Sequence, residues 1–320
     1  MHPKIAALDL GSNSFHLAIA ECHAARRFSI AARWKEKVQL GQSVFASGRI
    51  GEADFARGLE ALRKLRRMLD TQRPDVTLAV ATSALREADD GREFVAHASS
   101  ILGAPVRLIS GDEEARLMGL GTVQSLAVQA PRLAIFDLGG GSTEVVVMDR
   151  QRTALTASLP LGTLRLAGSW ACAPRPSRAE RTWLERHVAS LLAATVQRVS
   201  AAHVDTLVFS CGSARDLARL ARQLGPAPSP NQRPTLLTKA DVVDMEERLV
   251  SLVPAERAAL LASDPRRADT LLVAAIVFKT LFSALRMEQA CVSSAGLREG
   301  MVADHLAANH EARSALMVAL

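Results

Sequence analysis

FDLGGGSTE, Phe136 to Glu144, ends an apolar run on an acid and follows it with three glycines. Glycine in or beside a strand weakens it, so three together need a physical reason. One reason is a linker or a plain hairpin. Another is a turn whose backbone N–H groups must come close to something, commonly an anion. IAALDLGSNSF, Ile5 to Phe15, repeats the layout: apolar run, Asp, Leu, Gly, small polar residues, apolar residues again. Asp9 and Asp137 thus lead two matched turns in one chain. Neither turn is followed by the GK[ST] of a Walker loop, and each leads into a strand where a Rossmann fingerprint would open a helix. One GGGS alone is compatible with an ordinary hairpin; a matched pair led by Asp favours a phosphate cradle.

The donors of such a cradle are Gly11, Ser12, Asn13 and Ser14 in the first turn, and Gly139, Gly140, Gly141, Ser142 and Thr143 in the second. Backbone N–H groups there converge, and the hydroxyl and amide side chains add to them. Asp9 and Asp137 sit where a hydrated Mg²⁺ fits between carboxylates and phosphate oxygens. The plain alternative is a turn aspartate bonded to its own backbone. Glu144 follows the second turn. The VVVM after it reads as a strand buried on both faces, which weighs against a merely solvent-facing Glu144.

Outward from these turns the chain reads as two α/β halves. The first has strands Ile5–Leu8 and Phe15–Ala20, then an amphipathic helix Glu52–Leu69 with apolar Phe55, Leu59, Leu62, Leu65 and Leu69. Strands Val76–Ala81 and Val106–Ile109 follow. The second half repeats the order with Leu133–Leu138, EVVVM and Leu155–Leu161, a helix Arg178–Ala201 capped by Ser177, and strand Thr206–Ser210. Residues 224–234 are proline-rich and expected to form a loop, with only helices after it: Lys239–Val253, Ala268–Leu285 and one from Leu297. The expected domains are residues 1–126, with a C-terminal helix of about 303–320 packing on them, and 127–302.

Three further stretches carry charge or glycine at element starts. In SGDEEARL, Ser110 and Glu113 fit a capping box, and acids suit a helix N-terminus. Glu114 there either completes that acidic turn or orients a water for attack on phosphorus. In TSALR, Arg86 lies just past a strand end, where open α/β sheets bind ligands; it is a phosphate contact or an ordinary helix-start arginine. CGSARDLARL places Gly212 and Ser213 after a strand, as a distal phosphate or base site or as close strand–helix packing.

The chain has 320 residues, enough for two domains with large cores. Its 48% hydrophobic and 22% charged content exclude a disordered chain. Cys22, Cys172, Cys211 and Cys291 form no CxxC and read as buried thiols of a reducing compartment. The histidines show no zinc pattern. Asp9 interrupts the first apolar run too early for a signal peptide, and no run reaches the ~20 residues of a membrane span. A cytoplasmic protein without a membrane partner is expected. The net charge of +6 is carried mainly by arginine, and suits either a polyphosphate ligand or a solvated basic surface. Aromatics are 4% and tyrosine is absent, which disfavours single-stranded nucleic acid as a specific partner.

LDLGSNSFHL, ATSALREA, LISGDEEARL, FDLGGGSTEVV, LPLGTLRL and GLREG, in this order from near residue 5 to near residue 305, resemble the exopolyphosphatase / guanosine pentaphosphate phosphohydrolase (Ppx/GppA) family. The resemblance implies two actin/Hsp70/sugar-kinase-like (ribonuclease H-like) α/β domains facing across a cleft. It implies Mg²⁺-dependent removal of the terminal phosphoryl group from inorganic polyphosphate, or from pppGpp, and a homodimer. The catalytic residues it implies are Glu114, which handles the attacking water, with Asp137 and Glu144, which help place metal and water beside the Asp9 read from the first turn, and Arg86 as a phosphate contact. The family's GTSGT-like turn stands here as SCGSAR, a departure at Gly212 and Ser213. A kinase of the same superfold and a non-catalytic polyphosphate or (p)ppGpp sensor are the rival readings.

Overall fold

The structure, a computed structural model, describes residues 2–24, 27–126, 130–150, 152–169, 175–224, 235–261 and 267–318. Cys172 and most of the proline-rich stretch, 225–234, lie outside the described residues. The chain divides into one unit of Met1–Gln124 with Ala295–Leu320 and a second of Ser125–Ser294.

The first unit runs β1 (Lys4–Leu10), β2 (Ser14–Ala24), β3 (Arg27–Lys37), α1 (Leu40–Ser47), α2 (Glu52–Gln72), β4 (Val76–Ala81), α3 (Ser83–Glu87), α4 (Gly91–Leu102), β5 (Val106–Leu108) and α5 (Gly111–Ser125). The second runs β6 (Arg132–Leu138), β7 (Thr143–Asp149), β8 (Arg152–Leu159), α6 (Thr163–Ser169), α7 (Arg178–Ala201), β9 (Thr206–Phe209), α8 (Gly212–Leu224), β10 (Leu236–Thr238), α9 (Lys239–Ser251), α10 (Pro254–Leu260), α11 (Ala268–Leu285) and β11 (Gln289–Val292). The chain then returns to the first unit with α12 (Leu297–Val318).

The first sheet has the order β3-β2-β1-β4-β5, antiparallel through β3, β2 and β1 and parallel through β1, β4 and β5. The second has β10-β11-β9-β6-β7-β8. Read from β8, it repeats the first: antiparallel β8-β7-β6, then parallel β9 and β11. Two copies of this ribonuclease H-like sheet make the α/β, actin/Hsp70/sugar-kinase class expected from the sequence.

Strand β1 is buried on both faces, which is why KIAALDL reads as an almost unbroken apolar run. Ala6, Leu8 and Leu10 share a core with Leu62, Leu65 and Leu69 of α2 and Phe94 of α4. Ile5 and Ala7 pack with Leu117 of α5 and Met301 and Val302 of α12. Strand alternation puts Asp9 on this second face. Helices α5 and α12 cross at backbone contact: a Cβ on Gly300 would lie 1.7 Å from the Leu117 carbonyl oxygen, and one on Gly121 2.0 Å from that of Gly296. Only glycine permits this approach, which explains Gly121 and Gly300, the second glycine of the GLREG stretch.

In the second unit Phe209 packs against Phe278 and Phe282 of α11, tilted to the first and edge-on to the second, at centroid distances of 4.4 and 5.4 Å. Helix α11 is apolar nearly all round because it is enclosed in this core. Ser177 caps α7 through a full capping box with Glu180. Among the described residues no helix is long and apolar enough to cross a membrane.

The sequence expectation of helix alone after the proline-rich stretch is corrected by β10 and β11. These strands hold three and four residues, too few to display a period of two. Strand β3, helix α1 and helix α4 were not anticipated either. Along β3 half-buried Phe28, Ile30, Ala32 and Trp34 alternate with exposed Arg27, Ser29, Ala31 and Arg33, a period-two strand signal that the sequence does carry.

Candidate active site

The two glycine turns occupy the same place in the two sheets. Leu10 pairs with Phe15 at the end of the β1–β2 ladder, and Leu138 with Thr143 at the end of β6–β7. Residues 11–14 and 139–142 bridge these pairs.

In the second turn all three glycine carbonyls are tied down on one side. Gly139 O accepts from the Thr163 amide at 3.0 Å and the Thr163 hydroxyl at 3.3 Å. Gly140 O accepts from the amides of Leu164 at 2.8 Å and Arg165 at 3.2 Å. Gly141 O accepts from Arg165 Nε at 2.8 Å. The turn thereby caps the open amides at the start of α6. The C=O and N–H of a trans peptide point in opposite directions. Fixing these carbonyls toward α6 therefore turns the N–H groups of Gly140, Gly141 and Ser142 the other way. Gly162 lets α6 come this close, since a Cβ there would meet Gly140 O at 2.4 Å.

The first turn follows the same logic with different partners. Ser12 O accepts from Gly41 N at 2.9 Å, and Asn13 O from Val38 N and Gln39 N at 3.1 and 3.0 Å. The Asn13 amide is directed away from these contacts. Ser12 Oγ accepts from Ala84 N at 3.1 Å at the start of α3, which leaves its hydroxyl hydrogen to donate elsewhere. Five buried side-chain N or O atoms among the described residues lack a hydrogen-bond partner, and three belong to this turn: Asp9 Oδ1, Asn13 Oδ1 and Ser14 Oγ. Each orphaned group costs about 1–3 kcal/mol, so their concentration at one turn marks a place for a polar ligand.

The carboxylates follow from register. Asp137 lies directly opposite Glu144, and Glu144 opposite Ser158 on β8, whose hydroxyl donates to Glu144 Oε1 at 2.9 Å. Directly opposed residues share a face, so two acids stand side by side, and Glu144 is buried. Asp9 holds the equivalent place opposite His16. Asp9 is half-buried as a residue, but its Oδ1 is enclosed. Burial pushes its carboxyl up from 3.8 to about 6, against the opposing pull of Arg298.

No group of three His, Cys, Asp or Glu among the described residues is arranged to hold a metal ion. A bare cation in an all-protein cage does not fit. Within the second unit the opposed pair Asp137 and Glu144 does fit hydrated Mg²⁺, which keeps several waters and takes one or two carboxylates.

Glu114 sits in the first turn of α5, nearly buried. Arg86 Nη1 donates to Glu114 Oε2 at 3.1 Å and to the Ile109 carbonyl at 2.9 Å. These two candidates from separate stretches are thus partners. The predicted capping box forms by half: the Glu113 amide donates to Ser110 Oγ at 3.2 Å, while the Glu113 carboxylate grips Arg116. Glu114 is therefore not needed for the cap.

Thr143 donates its hydroxyl to the Leu161 carbonyl and is fully buried. At the third turn, Arg267 lies over Gly212 and Ser213: Nη2 reaches Ser213 Oγ at 3.4 Å, and Nη1 pairs with Asp216 at 2.7 Å. Cys211 precedes this turn; burial, then the charge of Asp137, pushes its thiol up to about 11, so it is no nucleophile. Cys22 and Cys291 are also buried and free, as expected. Several of the basic residues of α2 are paired, Arg63 with Glu60, Lys64 with Glu36 and Arg66 with Asp70, which fits a solvated face. Sequence reasoning missed Arg165 and Arg267, which lie far along the chain from the turns they touch. The glycine in LPLGTLRL was the one available signal for the first.

The model of the Ppx/GppA phosphatase family matches residues 18–309. A curated relative, exopolyphosphatase 2 of Mycobacterium tuberculosis, is 30% identical over 310 residues, covering 93% of this chain and 97% of the relative. Among solved structures, an exopolyphosphatase from Cytophaga hutchinsonii superposes with a TM-score of 0.87 at 24% identity, over 95% of this chain and 98% of that one. The Aquifex aeolicus member of the Ppx/GppA family gives 0.78 at 25% identity, over 97% and 99%. With the duplicated sheets and matched turns, these findings make the chain a member of the Ppx/GppA phosphatase family.

Proposed function

We propose that the protein is a Mg²⁺-dependent exopolyphosphatase that removes the terminal phosphoryl group of inorganic polyphosphate. Family membership makes it a phosphoanhydride hydrolase. The observation that carries the finer reading is the pair of turns: carbonyls tied back, amides of Asn13, Gly140, Gly141 and Ser142 turned out, and three buried polar atoms at the first turn without partners. The name of the mycobacterial relative favours polyphosphate over pppGpp.

The amides, with the Ser12 and Ser142 hydroxyls, hold the non-bridging oxygens of the terminal group. Asp9, Asp137 and Glu144 would hold Mg²⁺ largely through water, and the ion, when bound, neutralises phosphate charge. Glu114, fixed by Arg86, orients a water in line with the bridging P–O bond and accepts its proton. That bond breaks, its electron pair leaves with the shortened chain, and inorganic phosphate is released. Such transfer depends on positioning and electrostatics and needs no covalent nucleophile.

The test measures phosphate released from short-chain polyphosphate, long-chain polyphosphate and pppGpp, with Mg²⁺ and with chelator. Release from polyphosphate that stops with chelator is expected. Release from pppGpp alone overturns the substrate assignment, and undiminished release in chelator overturns the Mg²⁺ requirement.

A further inference from the structure

Three consecutive glycines give the second turn amides that approach a ligand closely, but they also leave its peptides free to rotate. Glycine populates both signs of φ almost equally, so a Gly–Gly or Gly–Ser peptide flips at little cost unless something holds it. A flipped Gly141–Ser142 peptide would replace an N–H with a carbonyl oxygen on the side where an anion binds.

Most anchored carbonyls of the two turns are held by backbone amides: Gly139 O by Thr163, Gly140 O by Leu164 and Arg165, Ser12 O by Gly41, Asn13 O by Val38 and Gln39. Gly141 O differs. It accepts from a side chain, Arg165 Nε at 2.8 Å. Arg165 is half-buried in the first turn of α6, and its own amide already bonds Gly140 O at 3.2 Å. Its guanidinium is planar and always charged, so the bond to Gly141 O is charge-assisted and keeps its direction.

We propose that Arg165 is a positioning residue of the phosphohydrolase reaction: it holds the Gly141–Ser142 peptide so that the Ser142 N–H faces the phosphoryl oxygens. The inference rests on the hydrolase reading above. Arg165 acts through the peptide, so its loss removes an amide donor and adds a carbonyl acceptor where negative charge must be stabilised. Loss of one such donor lowers kcat by roughly 10²–10³ where the hole is rigid. Here the peptide still visits the productive orientation, so a fall of about 10- to 100-fold is expected.

The experiment compares full-length wild type with Arg165→Met, which keeps the length without a donor, Arg165→Lys, which restores one, and Arg165→Ala with added guanidinium ion. Kinetics use polyphosphate, and melting curves check the fold. The expected result is that Arg165→Met lowers kcat by about 10- to 100-fold with KM shifted less than about 3-fold, that Arg165→Lys recovers most of the loss, and that guanidinium raises the rate of Arg165→Ala but not of wild type. Arg165→Met with wild-type kcat overturns the inference. So do equal losses in Met and Lys variants without guanidinium rescue, which assign Arg165 to folding alone. An inactive wild type instead overturns the hydrolase reading, so the two failures are distinct.

Discussion

Arg86 and Glu114 come from different elements and meet at 3.1 Å, with Arg86 bonded also to the Ile109 carbonyl. The carboxyl of Glu114 is thereby held in one orientation before any substrate arrives. In Glu114→Gln the amide oxygen can still accept from Arg86, so folding should be kept, while the side chain can no longer take a proton from water. The expected outcome is a kcat lowered about 10²–10⁴-fold, with the melting temperature within a few degrees of wild type. A folded Glu114→Gln protein with full phosphate release would remove Glu114 from the mechanism.

Asp9 gives a pH test in metal-free protein. Its carboxyl is raised from 3.8 to about 6 by burial, so the folded state binds this proton more tightly than the unfolded one. Relative stability is then greatest below pH 4 and is lost as pH rises through about 6. The rise corresponds to about 3 kcal/mol at neutral pH. Asp9→Asn removes that cost. In chelator at pH 7.5 the variant should melt above wild type, and the difference should vanish toward pH 4. Equal melting curves across this range would contradict the burial of an ionised Asp9.

The sheets that carry the turns were legible because their inner strands are buried on both faces and each turn announces itself by Asp and Gly. The pairing of Asp137 with Glu144 was implicit too, since four bridging residues fix the register. Strand β3 did carry a signal, the recurrence of Phe28, Ile30, Ala32 and Trp34 at every second residue, whereas β10 and β11 are too short to show one. Arg165 was invisible for another reason. Its role depends on α6 folding back on the turn, a contact set by packing and marked in the sequence by Gly162 alone. The bond between Arg86 and Glu114 was hidden in the same way, since each stretch had a complete local explanation as a helix start.

Gly162 offers a test of the turn that leaves every polar group in place. A Cβ there would lie 2.4 Å from Gly140 O and from the Gly141 carbonyl carbon, both backbone atoms of the cradle. The clash cannot be relieved by a side-chain rotation, so either the turn or α6 must shift. Gly162→Ala should lower kcat by at least about 10-fold, because errors of an ångström in such a site are costly. The loss should exceed any fall in the fraction of folded protein, measured by circular dichroism. Wild-type kinetics in this variant would show that the turn tolerates displacement and is not the phosphate cradle.

Lys279 tests the fold away from the chemistry. It pairs with Glu185 at 2.6 Å and with Glu246, which also accepts from Arg181 at 3.2 Å and is 1% exposed. Burial alone would lower the Lys279 pKa, but the bonds and charges of Glu185 and Glu246 outweigh it and the net shift is upward. The ammonium therefore stays charged throughout the pH range of an activity assay. Lys279→Met keeps most of the stem's packing but leaves Glu246 enclosed with its Arg181 contact. Removing one partner of a buried pair costs about 3–5 kcal/mol, and the surviving Arg181 contact places the expected loss at the lower end. Denaturant melts should show that fall at pH 7, with KM for polyphosphate unchanged at temperatures where the variant is folded. A double variant Lys279→Met/Glu246→Gln should recover part of the loss, because it removes the stranded charge. Failure of the double variant to recover any stability would mean that Lys279 matters through packing and not through its charge.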